Sequence, residues 1–252
     1  MIEISDVSKS YGEAVVVDGV SLRLPKGGVT SIIGANGAGK STLLSMIARL
    51  LPMDGGQIRV DGLDVVSTPG DVLAKRLSML RQDNHMSARL TVRDLVSFGR
   101  YPYSKGRLTV EDARHIDRAL AYLDLEQLAG RFLDELSGGQ RQRAHVAMVL
   151  CQDTDYMLFD EPLNNLDIRH AVAMMKMMRQ AAGQLAKTAV VVLHDINFAS
   201  CYSDHIVAMR DGKVLLQGAT QEVMRPDTLK AIYDCDFTVH EVDGKRIAVY
   251  YG

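Results

Sequence analysis

No stretch of these 252 residues stays apolar for the ~20 positions that a membrane-crossing helix needs. The opening residues, MIEISDVSKSYGEAVV, lack a basic segment followed by an apolar one, so no secretory signal is expected. Cysteine is scarce. Cys151, Cys201 and Cys235 stand far apart, with no CxxC and no Cys/His metal spacing. That excludes a disulfide framework or a zinc module and predicts reduced thiols. Neither sign of charge is in excess: 29 Lys and Arg against 31 Asp and Glu leave a formal net charge of −2. A charge-driven grip on nucleic acid or on a membrane surface is therefore not expected. Internal repeats and low-complexity segments are missing too. What remains is an ordinary globular composition, 47% apolar and 24% charged, on a chain long enough for one large domain or two small lobes sharing a core. The expectation is a cytosolic protein that deals with any membrane through a partner.

The N-terminal region reads as β. Ile2, Ile4 and Val7 alternate loosely, Val15-Val16-Val17 is a β-branched run, and Ser21-Leu22-Arg23-Leu24 alternates again. Val29 to Ile33 reads as a short buried strand, followed by a helix over Thr42 to Leu50 that Pro52 ends. Asp61-Gly62, between Gln57-Ile58-Arg59-Val60 and Leu63-Asp64-Val65, is a hairpin turn signal. From about Gln82 to Asp155 strand signals thin out and acidic–basic helical segments such as Val110 to Asp124 take over, as in a helical lobe inserted into an α/β core. Two buried strands come next, Tyr156 to Phe159 and Ala189 to Leu193, separated by a helix over Ile168 to Leu185. A further hairpin, Ile206 to Met209 and Val214 to Gln217, turns at Asp211-Gly212. Met174, Met175, Met177 and Met178 stand at helical spacing, where adaptable packing explains them better than a metal site. The tail from Thr220 onward has no legible role.

Two stretches look built for phosphate. The first, Gly34-Ala35-Asn36-Gly37-Ala38-Gly39-Lys40-Ser41, matches G-x-x-x-x-G-K-[ST] and lies between a buried strand and an amphipathic helix. Its glycines let backbone N–H groups turn inward around phosphate oxygens, and the helix start adds its positive end. Lys40 would reach the β- and γ-phosphates, and Ser41 would offer a hydroxyl to Mg²⁺. Its partner is Tyr156-Met157-Leu158-Phe159-Asp160-Glu161, an apolar strand ending in carboxylates, the Walker B arrangement. With Asp160 committed to Mg²⁺, Glu161 is the better candidate for polarising an attacking water. The second stretch is Leu136-Ser137-Gly138-Gly139-Gln140-Arg141-Gln142-Arg143, small residues with a helix opening behind them.

Taken in order, Tyr11, GANGAGKS, Gln82, LSGGQ, YMLFDE, Asn165-Leu166-Asp167 and His194 resemble the A-loop, Walker A, Q-loop, signature, Walker B, D-loop and H-loop of the ATP-binding subunits of ABC transporters. The resemblance covers nearly the whole chain. It implies an α/β P-loop NTPase (RecA-like) core, residues 1–82 and 156–252 with an N-terminal antiparallel β subdomain, and an inserted α-helical subdomain over 83–155 that carries the signature. It also explains the two loops. In this family two subunits pack head to tail, and the signature of one covers the ATP held by the Walker A of the other. A homodimer with two shared ATP is therefore implied, working with integral-membrane permease subunits and, indirectly, a solute-binding protein, at the cytoplasmic face of the inner membrane and without nucleic acid.

The same resemblance implies the roles of individual residues. Tyr11 would stack on adenine, and Gly34, Asn36, Gly37, Ala38, Gly39, Lys40, Ser41 and Thr42 would hold the phosphates. Ser137, Gly138, Gly139 and Gln140 would close on the nucleotide of the other subunit, with Asp167 linking the two sites. Ser41, Gln82 and Asp160 would serve Mg²⁺, while Glu161, His194 and Gln82 would serve hydrolysis. Glu161-Pro162-Leu163-Asn164-Asn165-Leu166-Asp167 departs from the commoner serine-alanine-leucine-aspartate form, which leaves the cross-site contacts of the D-loop open. Three stretches, Val96 to Tyr103, EPLNNLD and His194 to Asp204, resemble most the ATPases of iron–siderophore importers, ferric catecholate and hydroxamate systems, in the branch that also handles haem and cobalamin. In that branch residues 84–103, from Asn84 to Tyr103, would receive the permease's coupling helix. A soluble ABC-type ATPase of iron–sulfur cluster assembly would carry the same ATP site, and an exporter differs only in its membrane partner. A small-molecule P-loop kinase would have no use for LSGGQ.

Overall fold

A computed structural model describes residues 1–82, 88–164 and 166–251 of the chain; Asn84 and Asn165 lie outside the described residues. In chain order the first elements are β1 (Ile2–Tyr11), β2 (Ala14–Leu24), β3 (Gly28–Ile33), α1 (Lys40–Ile47), β4 (Gly55–Val60), β5 (Leu63–Asp64), α2 (Gly70–Leu73) and β6 (Leu77–Leu80). Then come α3 (Val92–Ser97), α4 (Tyr101–Ser104), α5 (Val110–Tyr122), α6 (Gly138–Cys151), β7 (Tyr156–Asp160) and α7 (Ile168–Gln184). The last are β8 (Thr188–Val192), α8 (Ile196–Tyr202), β9 (His205–Arg210), β10 (Lys213–Ala219), α9 (Thr220–Val223), α10 (Pro226–Tyr233), β11 (Thr238–Val242) and β12 (Lys245–Val249). The chain divides into two compact units, Met1–Thr68 with Met178–Gly252, and Pro69–Met177.

In the first unit the N-terminal alternations belong to one long antiparallel hairpin, β1 with β2, extended by β4 and β5 in the order β2-β1-β4-β5. Register shifts after Ile4 and Val7 interrupt the alternation, which is why the sequence shows it only in pieces. The second sheet is built on β3, flanked in parallel by β8 (Ile32 beside Val192) and β9 (Ile32 beside Val207), with β10 antiparallel on β9. Val29, Ile32, Ile33 and Val190 to Val192 are buried, as continuous apolar strands of a parallel sheet should be. The carboxyl ends of β3 and β8 lie side by side, Leu193 N–H donating to Ile32 O at 3.1 Å. The loop 34–39 and His194 continue the chain from those two ends. Both therefore emerge at one edge of the sheet, the edge where open α/β sheets bind ligands.

In the second unit β6 and β7 pair in parallel, Leu80 beside Phe159, and β7 is buried over its whole length. Helices α3, α5 and α6 each begin with a Ser or Thr cap, Thr91, Thr109 and Ser137, in a reciprocal capping box. A buried ion pair sits among them. Arg100 Nε donates to Asp112 Oδ1 at 2.9 Å and Nη1 to Cys151 O at 3.0 Å, while Asp112 Oδ2 takes the Thr109 amide and hydroxyl. The methionines of α7 behave as packing: Met174, Met175 and Met178 are buried.

Candidate functional site

The loop after β3 has a backbone that side chains would not tolerate. Gly34 has φ +145°, and a Cβ there would stand 2.1 Å from Met209 O; Gly39 has φ +91°, and its Cβ would meet Val16 O at 2.5 Å. Gly39 caps α1 from the left-handed region without a side-chain bond, so the helix starts at Lys40, two residues before the apolar periodicity becomes visible. Lys40 is buried at 4% exposure, and its ammonium donates to the carbonyls of Gly34 and Ala35, each at 2.9 Å. The charge is thereby held over the loop. Asn36 and Gly37 are exposed at its crest, Ala38 is buried, and Ser41 and Thr42 are half-buried on the first turn of α1. Tyr11 closes β1 with 52% of its surface exposed, opposite Ala14 at the end of the hairpin whose second strand carries Val16 past Gly39. An aromatic face is thus offered to solvent on the strand pair that passes the start of α1. His194 is exposed, between β8 and the Asp195 that caps α8 by accepting the amides of Asn197 and Phe198.

The second unit gathers the carboxylates. Asp160 ends β7 at 5% exposure. Glu161 comes next in the left-handed region, φ +49°, which swings its side chain out of the strand direction. Its Oε2 accepts from Gln82 Nε2 at 2.8 Å and from Asn164 Nδ2 at 2.5 Å. The parallel pairing of β6 and β7 is the cause, since Gln82 and Glu161 leave the same end of adjacent strands. Gln142 of α6 donates to Pro162 O at 2.9 Å and so ties the signature helix to the loop after β7.

Ser137 caps α6: its hydroxyl oxygen accepts the Gln140 amide at 3.3 Å, and the Gln140 side chain returns a bond to the Ser137 amide at 3.0 Å. Gly138 is exposed, whereas Gly139 is buried against the ring of His170, where a Cβ would come within 2.7 Å of Cδ2. The His170 ring and amide both bond Asp167 Oδ1, at 2.7 and 2.9 Å, and these bonds hold the Asp167 carboxyl below the usual range. His170 therefore joins Asp167 to the signature glycines within one subunit. Sequence reasoning misses it, since its only signal is a spacing of three from Asp167 at a helix start.

The other end of α6 carries an exposed aromatic surface. Phe98 and Tyr101 are about half exposed, and Tyr103 donates its hydroxyl to Gln152 O at 3.0 Å while stacking on Arg100, 3.9 Å from guanidinium carbon to ring centre. The buried Arg100–Asp112 pair anchors that segment from beneath.

The sequence pattern of the ABC transporter family matches residues 17–164. The chain belongs to the ABC transporter family. Among relatives, it is 50% identical over 251 residues to the petrobactin import ATP-binding protein YclP of Bacillus subtilis, covering 100% of both chains. It is 53% identical over 250 residues to the petrobactin import ATP-binding protein FatE of Bacillus anthracis, covering 99% of this chain and 100% of that one. Among solved structures, the dimeric cassette MJ0796 with ADP and phosphate superposes at a TM-score of 0.78 with 28% identity, over 87% of this chain and 99% of that one. A metal-chelate type ABC transporter in an inward-facing conformation shares the fold at a TM-score of 0.84 with 21% identity, over 99% and 98%. As an ATP-binding protein of this family, the chain hydrolyses ATP to power transport. Among the described residues no helix is long and apolar enough to cross a membrane.

Proposed function

We propose that this chain is the ATP-hydrolysing subunit of an importer for iron–siderophore complexes, with ferric petrobactin as the first candidate cargo. The observation that carries the cargo is end-to-end similarity to two petrobactin import subunits at half identity. Further relatives at 36–37% identity serve hydroxamate and enterobactin import, which keeps the wider siderophore class in view. Two copies would pack head to tail, each signature helix closing on the other's nucleotide, and the pair would sit at the cytoplasmic face of the membrane under permease subunits. The exposed Phe98, Tyr101 and Tyr103 are the surface we assign to the permease.

Each role rests on the chemistry of its group. Tyr11 stacks on adenine. Amides of residues 34–42 and the Lys40 ammonium neutralise the phosphates, and the amides and hydroxyl at Ser137 to Gly139, helped by Gln140, grip the γ-phosphate presented by the partner. Glu161, oriented by Gln82 and Asn164, polarises water for attack on the γ-phosphorus. His194 contacts the γ-phosphate, and Asp167 links the two sites. The hydroxyl of Ser41, the carboxylate of Asp160 and the amide oxygen of Gln82 are hard oxygen donors that suit Mg²⁺. Bound there, Mg²⁺ supplies charge neutralisation on the phosphates.

The test is purification from gently solubilised native membranes, then reconstitution of the co-purifying permease in proteoliposomes. ATPase activity should rise when a solute-binding protein loaded with ferric petrobactin is added. A complex that responds to another ferric siderophore would correct the cargo. A soluble scaffold in place of a permease would overturn the importer.

A further inference from the structure

The C-terminal tail has no part in the phosphate chemistry above, yet it is bonded to the helix that begins just after His194. Asn197 Nδ2 donates to Ala248 O at 3.1 Å, and Asn197 Oδ1 accepts from Ala248 N at 2.8 Å. This two-way pair gives β12, through a side chain, what a neighbouring strand would give. One turn along the helix, Ser200 Oγ donates to Arg246 O at 2.5 Å. Residues three apart on α8 thus meet residues two apart on β12, all on the edge away from β11. Arg246 also donates to the carbonyls of Gln221 and Met224, which ties the hairpin down at its other side. Between these ties a polar cavity of about 500 Å³, lined in part by Ser203, Asp204, Thr220 and Lys245, separates hairpin from body. The hairpin is therefore held by these bonds together with the burial of Ala248 against the body.

The preceding helix supports the same corner. The phenol of Tyr233, at the end of α10, is pushed up by burial, and the Asp195 carboxylate acts in the same direction. The tail thus lies close to the turn that carries His194.

A helix of seven residues such as α8 has little stability of its own, so its position depends on what holds its ends and its outer face. Asp195 holds the start, and Asn197 and Ser200 hold the outer face to β12. We propose that the C-terminal hairpin is a positioning element for His194, acting through the Asn197–Ala248 pair. The proposal rests on the reading of His194 as the γ-phosphate histidine. Displacing a catalytic contact by ~1 Å can cost up to about 100-fold in rate, so a loosened helix should show in turnover before it shows in binding.

The experiment is a double-mutant cycle on the full chain, read by steady-state ATP hydrolysis with kcat and KM measured separately. Asn197→Ala should lower kcat by about 3- to 30-fold with the KM for ATP within about twofold, and it should change the residual rate of His194→Ala by less than about twofold. Ser200→Ala, which removes a single bond, carries the same comparison if Asn197→Ala proves insoluble. A kcat within twofold of wild type, or an equal loss in both backgrounds, would overturn the positioning role, the latter by showing a purely structural effect. Wild-type turnover in His194→Ala itself would instead remove the reading of His194 on which the proposal stands.

Discussion

Glu161→Gln separates chemistry from fold more cleanly than any other substitution at this site. The Glu161 Oε2 accepts two bonds, from Gln82 at 2.8 Å and Asn164 at 2.5 Å. Glutamine has nearly the same shape, and its amide oxygen can accept both, so no donor is stranded. What is lost is charge. A bond to a charged group contributes about 1.5–3 kcal/mol and a neutral one about 0.5–1.5, which puts the loss for the two bonds near ~2.5 kcal/mol and its upper bound near ~5 kcal/mol. Solvent reaches both partners, so the loss should be about 1 kcal/mol, or roughly 2–4 °C in melting temperature for a chain of this size. Losing a general base costs on the order of 10²–10⁴ in kcat. Phosphate release by the variant should therefore fall at least 100-fold while ATP binding, monitored by equilibrium titration, is retained. A dimer should accumulate with ATP on a sizing column. Turnover within threefold of wild type would refute the assignment of Glu161. A melting temperature lowered by some 15 °C would show that the carboxylate is structural instead.

Three further outcomes rest on the same physics. Gly39→Ala places a Cβ 2.5 Å from Val16 O at φ +91°; the left-handed strain alone costs about 1–2 kcal/mol, so a thermal melt should drop by roughly 2–8 °C and ATP affinity should weaken with it. Burial lowers the pKa of His145 to about 4, against an ordinary 6.5. Between those values only the unfolded chain takes up the proton, so stability is full above pH 6.5 and falls by up to ~3 kcal/mol as pH drops to 4. His145→Leu should flatten that part of the pH–stability curve, and an unchanged slope would place the titration elsewhere. Among the thiols, Cys235 is exposed whereas burial pushes Cys151 up to about 12, so an aromatic disulfide reagent should modify Cys235 at once and Cys151 only after denaturation.

Much of the site is legible in the sequence because it is made of local chemistry. GANGAGKS needs its glycines wherever it occurs, and φ values of +145° at Gly34 and +91° at Gly39 express that need. LSGGQ carries its own helix start, since Ser137 and Gln140 form a capping box across three residues. The tail is harder to read, although Asp243-Gly244 between Thr238–Val242 and Lys245–Val249 is the same turn signal as Asp61-Gly62 and Asp211-Gly212. Its strands are mostly exposed and short, so they lack the apolar alternation that marks strands elsewhere. Glu161 is conspicuous in the sequence, but its partners are not. Gln82 is 79 residues away and reaches it only because β6 and β7 run in parallel.

The family, the phosphate loop, the buried strands and the turns can all be read from the amino-acid order, because each is a short pattern whose backbone demands are met by its own residues. Tertiary structure alone decided which side chains share a bond across long separations: Gln82 with Glu161, Gly139 with His170, and Asn197 with Ala248. Those pairings depend on strand order, register and the docking of a hairpin on a helix. No local propensity encodes them, since a hydrogen bond between distant residues exists only once the apolar surfaces around it have fixed where both chains lie.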